Sequence, residues 1–303
     1  MTVRMSIMGA YVRWRNRCRH NTAAFDRSLG ARGTPAPVPA DIEQWCTVSV
    51  NEISNRRVIT LTPRGRTTGV HVIHTHGGAY VYAIQQLHWQ VLGMLSRRSG
   101  AVIHVPLYGL APTSKVDQAY PFLQEVYLHV KSLAGGGPVV LSGDSAGGGL
   151  ALGQAIRYRQ LGLTLPSHIM LFSPWLDLTV PERLDPRLNR LDPMLSQTAL
   201  RRAGLLWTGS ISRTDPMVSP INDTLVGLPH ITTFVGGRDI LLEDAQRLHE
   251  KVLSAGGKST LRIWASGFHV FMAATKTREA REVMTAAADI LSSAPLTPSR
   301  HLY

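Results

Sequence analysis

Val139-Val140-Leu141-Ser142-Gly143-Asp144-Ser145-Ala146-Gly147-Gly148-Gly149 is the stretch on which the fold turns. A short apolar run reads as a buried parallel strand. The chain then breaks at Gly143, presents Ser145 and enters Leu150-Ala151-Leu152-Gly153-Gln154-Ala155-Ile156, which reads as helix. A serine held on such a strand–turn–helix elbow tolerates almost no side chain two positions away on either side, and Gly143 and Gly147 meet that need. A helix opening at Ser145 would also aim its N–H groups and positive end at charge developing beside the hydroxyl. The competing readings are an ordinary glycine-rich turn or a phosphate-cradling loop. The Gly-Lys-Ser/Thr that a P-loop requires is absent.

Outward from the elbow, strands and helices alternate. Upstream, strand candidates near Thr47–Val50 and Arg57–Thr62 suit a hairpin at a sheet edge, and Val70–Thr75 is a third strand. Gln86–Ser99 fits a helix, Ala101–Val105 a buried strand and Phe122–Ala134 a helix. Downstream, Ile169–Phe172, Ile231–Val235 and Thr260–Trp264 read as strands, with helices over Leu241–Ala255 and Ala280–Leu291. Alternation of this kind predicts an α/β fold with a mostly parallel sheet covered by helices on both faces. Residues 180–216 lose the alternation, carry several prolines and hold one helical stretch near Gln197–Trp207. They read as an inserted lid. Residues 1–33 read as a polar-faced helical segment, followed by the stiff Thr34-Pro35-Ala36-Pro37-Val38-Pro39. The expected division is therefore a cap segment over 1–45, a core over 46–179 and 217–303, and the insertion over 180–216.

The chain of 303 residues is 44% apolar and 17% charged, enough for one large core and against wholesale disorder. Its net charge of +12 is concentrated in seven arginines within the first 33 residues: Arg4, Arg13, Arg15, Arg17, Arg19, Arg27 and Arg32. No aromatic interleaving or nucleic-acid signature accompanies them, so a solvated cap face is the expectation. Peripheral contact with an anionic membrane is the alternative. Cys18 and Cys46 are too few for a disulfide framework. The apolar stretch from Met5 to Val12 is too short for a secretory core, and no run approaches a membrane span. A reduced, cytoplasmic setting is expected, and a homodimer is left open.

In open parallel sheets the chemistry lies beyond the carboxyl ends of the strands. Four stretches fall there: His76-Gly77-Gly78, Ser145, Asp239 and His269. Serine needs a base to take its proton, and the base needs an acid to hold its tautomer. The first strand-end carboxylate after Ser145 is Asp239, with Glu243 and Asp244 as competitors in the next helix turn; His269 is the one histidine at a later strand end. The order Ser, Asp, His is that of α/β-hydrolases. Gly77, Gly78 and Ala146 offer main-chain N–H groups for an oxyanion, while His76 is expected to brace its loop and His74 to be structural. Tyr80, Tyr82, Met194, Leu195, Trp207 and Phe268 are candidate walls of an apolar pocket, or plain core. No His/Cys/Asp spacing suggests a metal, and no cofactor is expected.

These residues resemble the hormone-sensitive-lipase-like carboxylesterases of the α/β-hydrolase fold. The resemblance rests on His76-Gly77-Gly78-Ala79-Tyr80, Leu110-Ala111-Pro112, Gly143-Asp144-Ser145-Ala146-Gly147-Gly148, Ser173-Pro174-Trp175-Leu176-Asp177, Asp239 with Leu241, and His269, across roughly residues 68–290. It implies a core sheet of about eight strands and a cap built from the N-terminal segment and the insertion. It also implies cofactor-free hydrolysis of short- to medium-chain acyl esters and places the triad acid at Asp239. The family's third glycine is Ala79 here, and its Tyr-Arg-Leu-Ala-Pro-Glu is Tyr108-Gly109-Leu110-Ala111-Pro112-Thr113. Two other readings share the residues: an amidase or peptidase with the same triad, and a non-catalytic small-molecule receptor on the same fold.

Overall fold

In the computed structural model, which describes residues 3–16, 25–27, 34–180 and 185–293, the elbow strand lies deep inside one sheet. Its strands are β1 (Cys46–Ile53), β2 (Arg56–Pro63), β3 (His71–Thr75), β4 (Val102–Pro106), β5 (Val139–Asp144), β6 (His168–Phe172), β7 (Ile231–Gly236) and β8 (Ser259–Trp264). They run in the order β1-β2-β4-β3-β5-β6-β7-β8. β1 and β2 form the expected antiparallel hairpin at one edge, β2 is antiparallel to β4, and every later pair is parallel. The sequence therefore builds the mostly parallel α/β sheet anticipated from its alternation, with the eight strands that the resemblance implies.

Successive side chains of a strand face opposite ways, and the central strands are apolar on both sides. Val139, Leu141, Ile169 and Leu171 enter one hydrophobic core, while Val140, Met170, Phe172 and Phe234 enter the other. The first core is closed by α3 (Val116–Leu133), α4 (Ala146–Gln160) and α7 (Leu242–Ser254). The second is closed by α2 (Gln86–Ser99) and α8 (Arg278–Ser292). Two layers of helix thus cover the sheet and leave its carboxyl edge to the loops.

Local readings differ at a few boundaries. α3 begins at Val116, six residues before its expected start, with Pro121 inside it. Proline removes one donor there, and burial of Val116, Ala119 and Tyr120 outweighs that loss. The N-terminal helix α1 spans Val3–Asn16. Of the rest of the helical expectation, residues 25–27 are helical, and 17–24 and 28–33, with Arg17, Arg19, Arg32 and Cys18, lie outside the described residues. Within 180–216 the described residues hold two helices, α5 (Pro186–Leu191) and α6 (Gln197–Thr208). α5 is too short to show an apolar period, yet it starts by rule: Asp185 caps it through the Arg187 N–H at 2.8 Å, and Pro186 occupies its first turn. No helix among the described residues is long and apolar enough to cross a membrane.

Candidate active site

Ser145 sits between β5 and α4 with φ 51° and ψ −123°, a conformation few L-residues adopt. Strain of this kind costs on the order of 1–3 kcal/mol and must be held by its surroundings. The Ser145 N–H donates to the Phe172 carbonyl at 2.9 Å, and its own carbonyl accepts from Trp175 and Gly148, each at 2.9 Å. A Cβ on Gly147 would collide with the Thr75 carbonyl, and one on Gly143 with the Gly147 carbonyl. The glycine spacing read from sequence is thus a steric requirement of backbone meeting backbone.

The Ser145 hydroxyl donates to His269 Nε2 at 2.9 Å. His269 Nδ1 donates to both carboxylate oxygens of Asp239 at 3.1 Å. All three side chains are buried. The histidine loop is pinned by the Val270 N–H, which donates to Ser173 Oγ at 3.1 Å. Asp239 Oδ1 also accepts the Leu241 N–H at 2.9 Å. Burial pulls the His269 imidazole down, but the charge and hydrogen bond of Asp239, helped by Asp192 and Asp144, leave it above its ordinary value of 6.5. The competing acids have other partners. Glu243 accepts the Asp185 N–H at 3.2 Å. Asp244 accepts the N–H groups of Leu176 and Asp177 at 2.8 and 3.1 Å, a loop clamp rather than the simple helix-dipole partner its position suggests.

One sequence expectation needs correction. The Gly77 N–H donates to Asp144 Oδ1 at 2.9 Å and is committed inside the protein. A Cβ there would strike the same carboxylate, which is why this position is glycine. The next residues, Gly78 at φ 120°, Ala79 at φ 52° and Tyr80 at φ 63°, turn left-handed beside the elbow. His76 braces the loop as expected: its Nδ1 donates to the Gly77 carbonyl at 2.6 Å, and its ring stacks on Tyr108 at 4.6 Å. Tyr108 in turn donates to the His76 carbonyl at 2.7 Å. Burial, with His88 as a like charge, lowers the His76 imidazole to about 4, so it stays neutral.

Sequence reasoning passed over Asp144, His88 and Asp192. Asp144 faces His74 Nε2 at 3.3 Å and His88 Nε2 at 3.6 Å. Burial alone would raise its carboxyl, yet these two imidazoles hold it well below the carboxylate range. The loop after β3 is therefore fastened to β5 by an ionised carboxylate. Its place between Gly143 and Ser145 was visible, but its partners Gly77, His74 and His88 all lie more than fifty residues away in sequence. Asp192 lies with Asp239 and His269, each offering an atom within 4.8 Å of the others. These atoms belong to the Ser145 hydrogen-bond chain and its immediate support.

Of the pocket candidates, Tyr80, Trp207 and Phe268 are fully buried, and Tyr82, Met194 and Leu195 half-buried. Tyr80 and Trp207 stack at 4.6 Å with rings 6° apart and form core between the sheet edge and α6. For these two the core reading replaces that of an open wall. Phe25 packs edge-on against Tyr82 at 6.2 Å, and Asp26 pairs with Arg202 of α6 at 3.0 Å. The space an arginine at position 109 would need is taken by Ser114 and by Arg56 from β2. That departure from the family pattern is filled from a neighbouring strand.

The protein family described as the alpha/beta hydrolase fold matches residues 72–273. An esterase of Acinetobacter venetianus is 35% identical over 205 residues, which cover 66% of this chain and 67% of that one. An acetyl-hydrolase of Streptomyces hygroscopicus is 29% identical over 249 residues, covering 82% and 80%. A solved esterase/lipase from an uncultured bacterium superposes with TM-score 0.85 at 25% identity, over 96% of this chain and 98% of that chain. The chain belongs to the α/β-hydrolase family, among its hormone-sensitive-lipase-like carboxylic ester hydrolases.

Proposed function

We propose that the protein is a serine carboxylesterase acting on short- to medium-chain acyl esters through an acyl-enzyme on Ser145. The observation that carries this is the unbroken chain from Ser145 through His269 to Asp239, buried at the carboxyl edge of the sheet. Ser145 Oγ attacks the ester carbonyl carbon while His269 Nε2 takes its proton. The same proton then passes to the departing alkoxide. Water repeats the sequence and releases the acid. Asp239 holds the tautomer and faces the imidazolium.

The oxyanion is assigned to the N–H groups of Gly78 and Ala146, joined by Ala79 because Gly77 is committed to Asp144. Half-buried Tyr82, Met194 and Leu195 are the acyl contacts, with Tyr80, Trp207 and Phe268 packed behind them. Residues 1–45 and 180–216 are assigned to a cap over a core of 46–179 and 217–303. The Arg202–Asp26 pair and the Phe25–Tyr82 contact support that division.

The test is labelling by a fluorophosphonate probe, followed by hydrolysis of p-nitrophenyl esters of rising chain length and of matched amides. We expect label on Ser145, preference for acyl chains of roughly eight carbons or fewer, and esters far ahead of amides. Ser145→Ala should fold and lose ~10⁴–10⁶ in kcat. Near-full activity in that variant, or a wild type without label, refutes the reading. Amides turned over as fast as esters would reassign the enzyme as an amidase.

A further inference from the structure

Asp192 follows α5 in the inserted segment and is buried at 2% exposure. Its Oδ1 accepts the N–H groups of Met194 and Leu195 at 2.7 and 3.1 Å, shaping the turn that leads into α6. Its Oδ2 reaches across to accept the N–H of Ile240 at 3.0 Å. Ile240 stands between Asp239 and Leu241, whose N–H is held by Asp239 itself. The two N–H groups that follow the triad acid are therefore divided between two carboxylates, one from the acid's own turn and one from the insertion.

Other contacts gather at the same place. Arg13 of α1 donates to the carbonyls of Arg190 and Leu191, each at 3.0 Å, and Arg238 reaches the Leu191 carbonyl at 3.4 Å. The 190–192 turn is thus a junction of the N-terminal helix, the insertion and the loop that carries the triad acid. A carboxylate used only to shape a surface turn has no need of this depth, nor of a second carboxylate and an imidazole within 4.8 Å.

We infer that Asp192 is a positioning residue for the triad: it locks the Asp239 turn to the seated insertion and presents a second negative charge to His269. The inference rests on the ester-hydrolase reading. The charged and titratable groups facing His269 are Asp239, Asp192 and Asp144, and those facing Asp192 are Asp239 and His269. The guanidiniums of Arg13 and Arg238 engage carbonyls of the adjoining turn. Burial first, and then the charge of Asp239, raises the Asp192 carboxyl to about 6, within reach of His269's own titration.

The direction of the effect follows. Negative charge at Asp192 favours the protonated imidazole, so removing it lowers the His269 value and moves the acid limb of kcat/KM to lower pH. Losing the Ile240 acceptor also loosens the acid turn, which costs kcat rather than substrate binding.

The experiment is the pH profile of kcat/KM, with separate kcat and KM, for wild type and Asp192→Asn. Ser145 labelling by a fluorophosphonate is followed alongside. We expect the variant's acid limb to shift down by about one pH unit, its kcat at neutral pH to fall about tenfold to hundredfold, and its KM to hold within about twofold. In wild type the limb should be shallower than a single-proton titration, because protonating Asp192 makes His269 harder to protonate; in the variant it should follow one proton. An unmoved limb in a folded variant overturns the inference. If the variant does not fold, the wild-type limb decides: a limb shallower than one proton supports the coupling and a simple single-proton limb overturns it. Absence of label on wild-type Ser145 refutes the esterase reading instead, so the two failures are distinguishable.

Discussion

Asp239→Asn tests the acid of the triad through a specific hydrogen-bond argument. In the protein Asp239 Oδ1 serves both His269 Nδ1, at 3.1 Å, and the Leu241 N–H, at 2.9 Å. An asparagine has one oxygen to offer. The Leu241 N–H can only donate, so it claims that oxygen and leaves the NH₂ facing His269. A donor at that place drives the imidazole proton to Nε2, and a ring protonated there cannot take the Ser145 proton. The expected loss is ~10⁴ in kcat, by analogy with the same change in another serine hydrolase, or roughly 5 kcal/mol at 1.36 kcal/mol per tenfold. The control is Asp244→Asn. A carboxamide oxygen there can still accept both the Leu176 and Asp177 N–H groups. Burial, opposed by the Leu176 N–H, pushes the Asp244 carboxyl up to about 7, so near neutral pH the wild type already spends much of its time uncharged. That variant should lose less than about tenfold. The assay is steady-state hydrolysis of a short-chain p-nitrophenyl ester, with thermal melts to confirm folding. If Asp244→Asn loses more than Asp239→Asn, or if Asp239→Asn keeps more than about a tenth of wild-type kcat, the tautomer argument is wrong.

Two further outcomes concern the scaffold around the nucleophile. Asp144→Asn should lower kcat by about tenfold to hundredfold with little change in KM, because it slackens the Gly77 hold on the oxyanion loop. Its folded carboxyl lies below the unfolded value of 3.8, so its stabilisation is present above that value and lost as pH falls through the folded one. Thermal midpoints of wild type and variant should therefore separate at neutral pH and converge in strong acid; a constant gap contradicts the ionised pair. Gly147→Ala places a methyl group against the Thr75 carbonyl, so the elbow or β3 must move. A loss of about 3 kcal/mol or more is expected, and a wild-type melting temperature would refute the steric account.

The sheet was legible because its signal is local. β5, β6 and β7 announce themselves by apolar runs whose alternate residues feed two cores, and Ser145 and His269 announce themselves by standing at strand ends. Pro121 masked the first turns of α3, since a breaker in sequence does not reveal the burial that overrules it. Asp192 and His88 escaped for a different reason. Asp192 acts on Ile240 from 48 residues away, and His88 faces an aspartate that follows it by more than fifty positions; neither carries a local pattern. The oxyanion assignment erred at Gly77 because glycine identity marks a free path for the backbone. It does not tell which acceptor will take the N–H, and here a side chain from β5 took it.

The proposed nucleophile Ser145 and its base His269 lie 124 residues apart, with β6, the proposed insertion, β7 and β8 between them. During synthesis the serine elbow emerges first, then the acid, and the histidine last of the three. A nascent chain halted before β8 can build β3, β5 and β6 around Ser145 and still hold an ordinary, unreactive hydroxyl. Non-local pairing of this kind is also slow to form, since much loop entropy is lost before the contacts repay it. Hydrolytic competence in this protein therefore waits until the chain has been made through the His269 loop. Its first appearance during refolding, timed against strand formation, would mark the docking of the last strand.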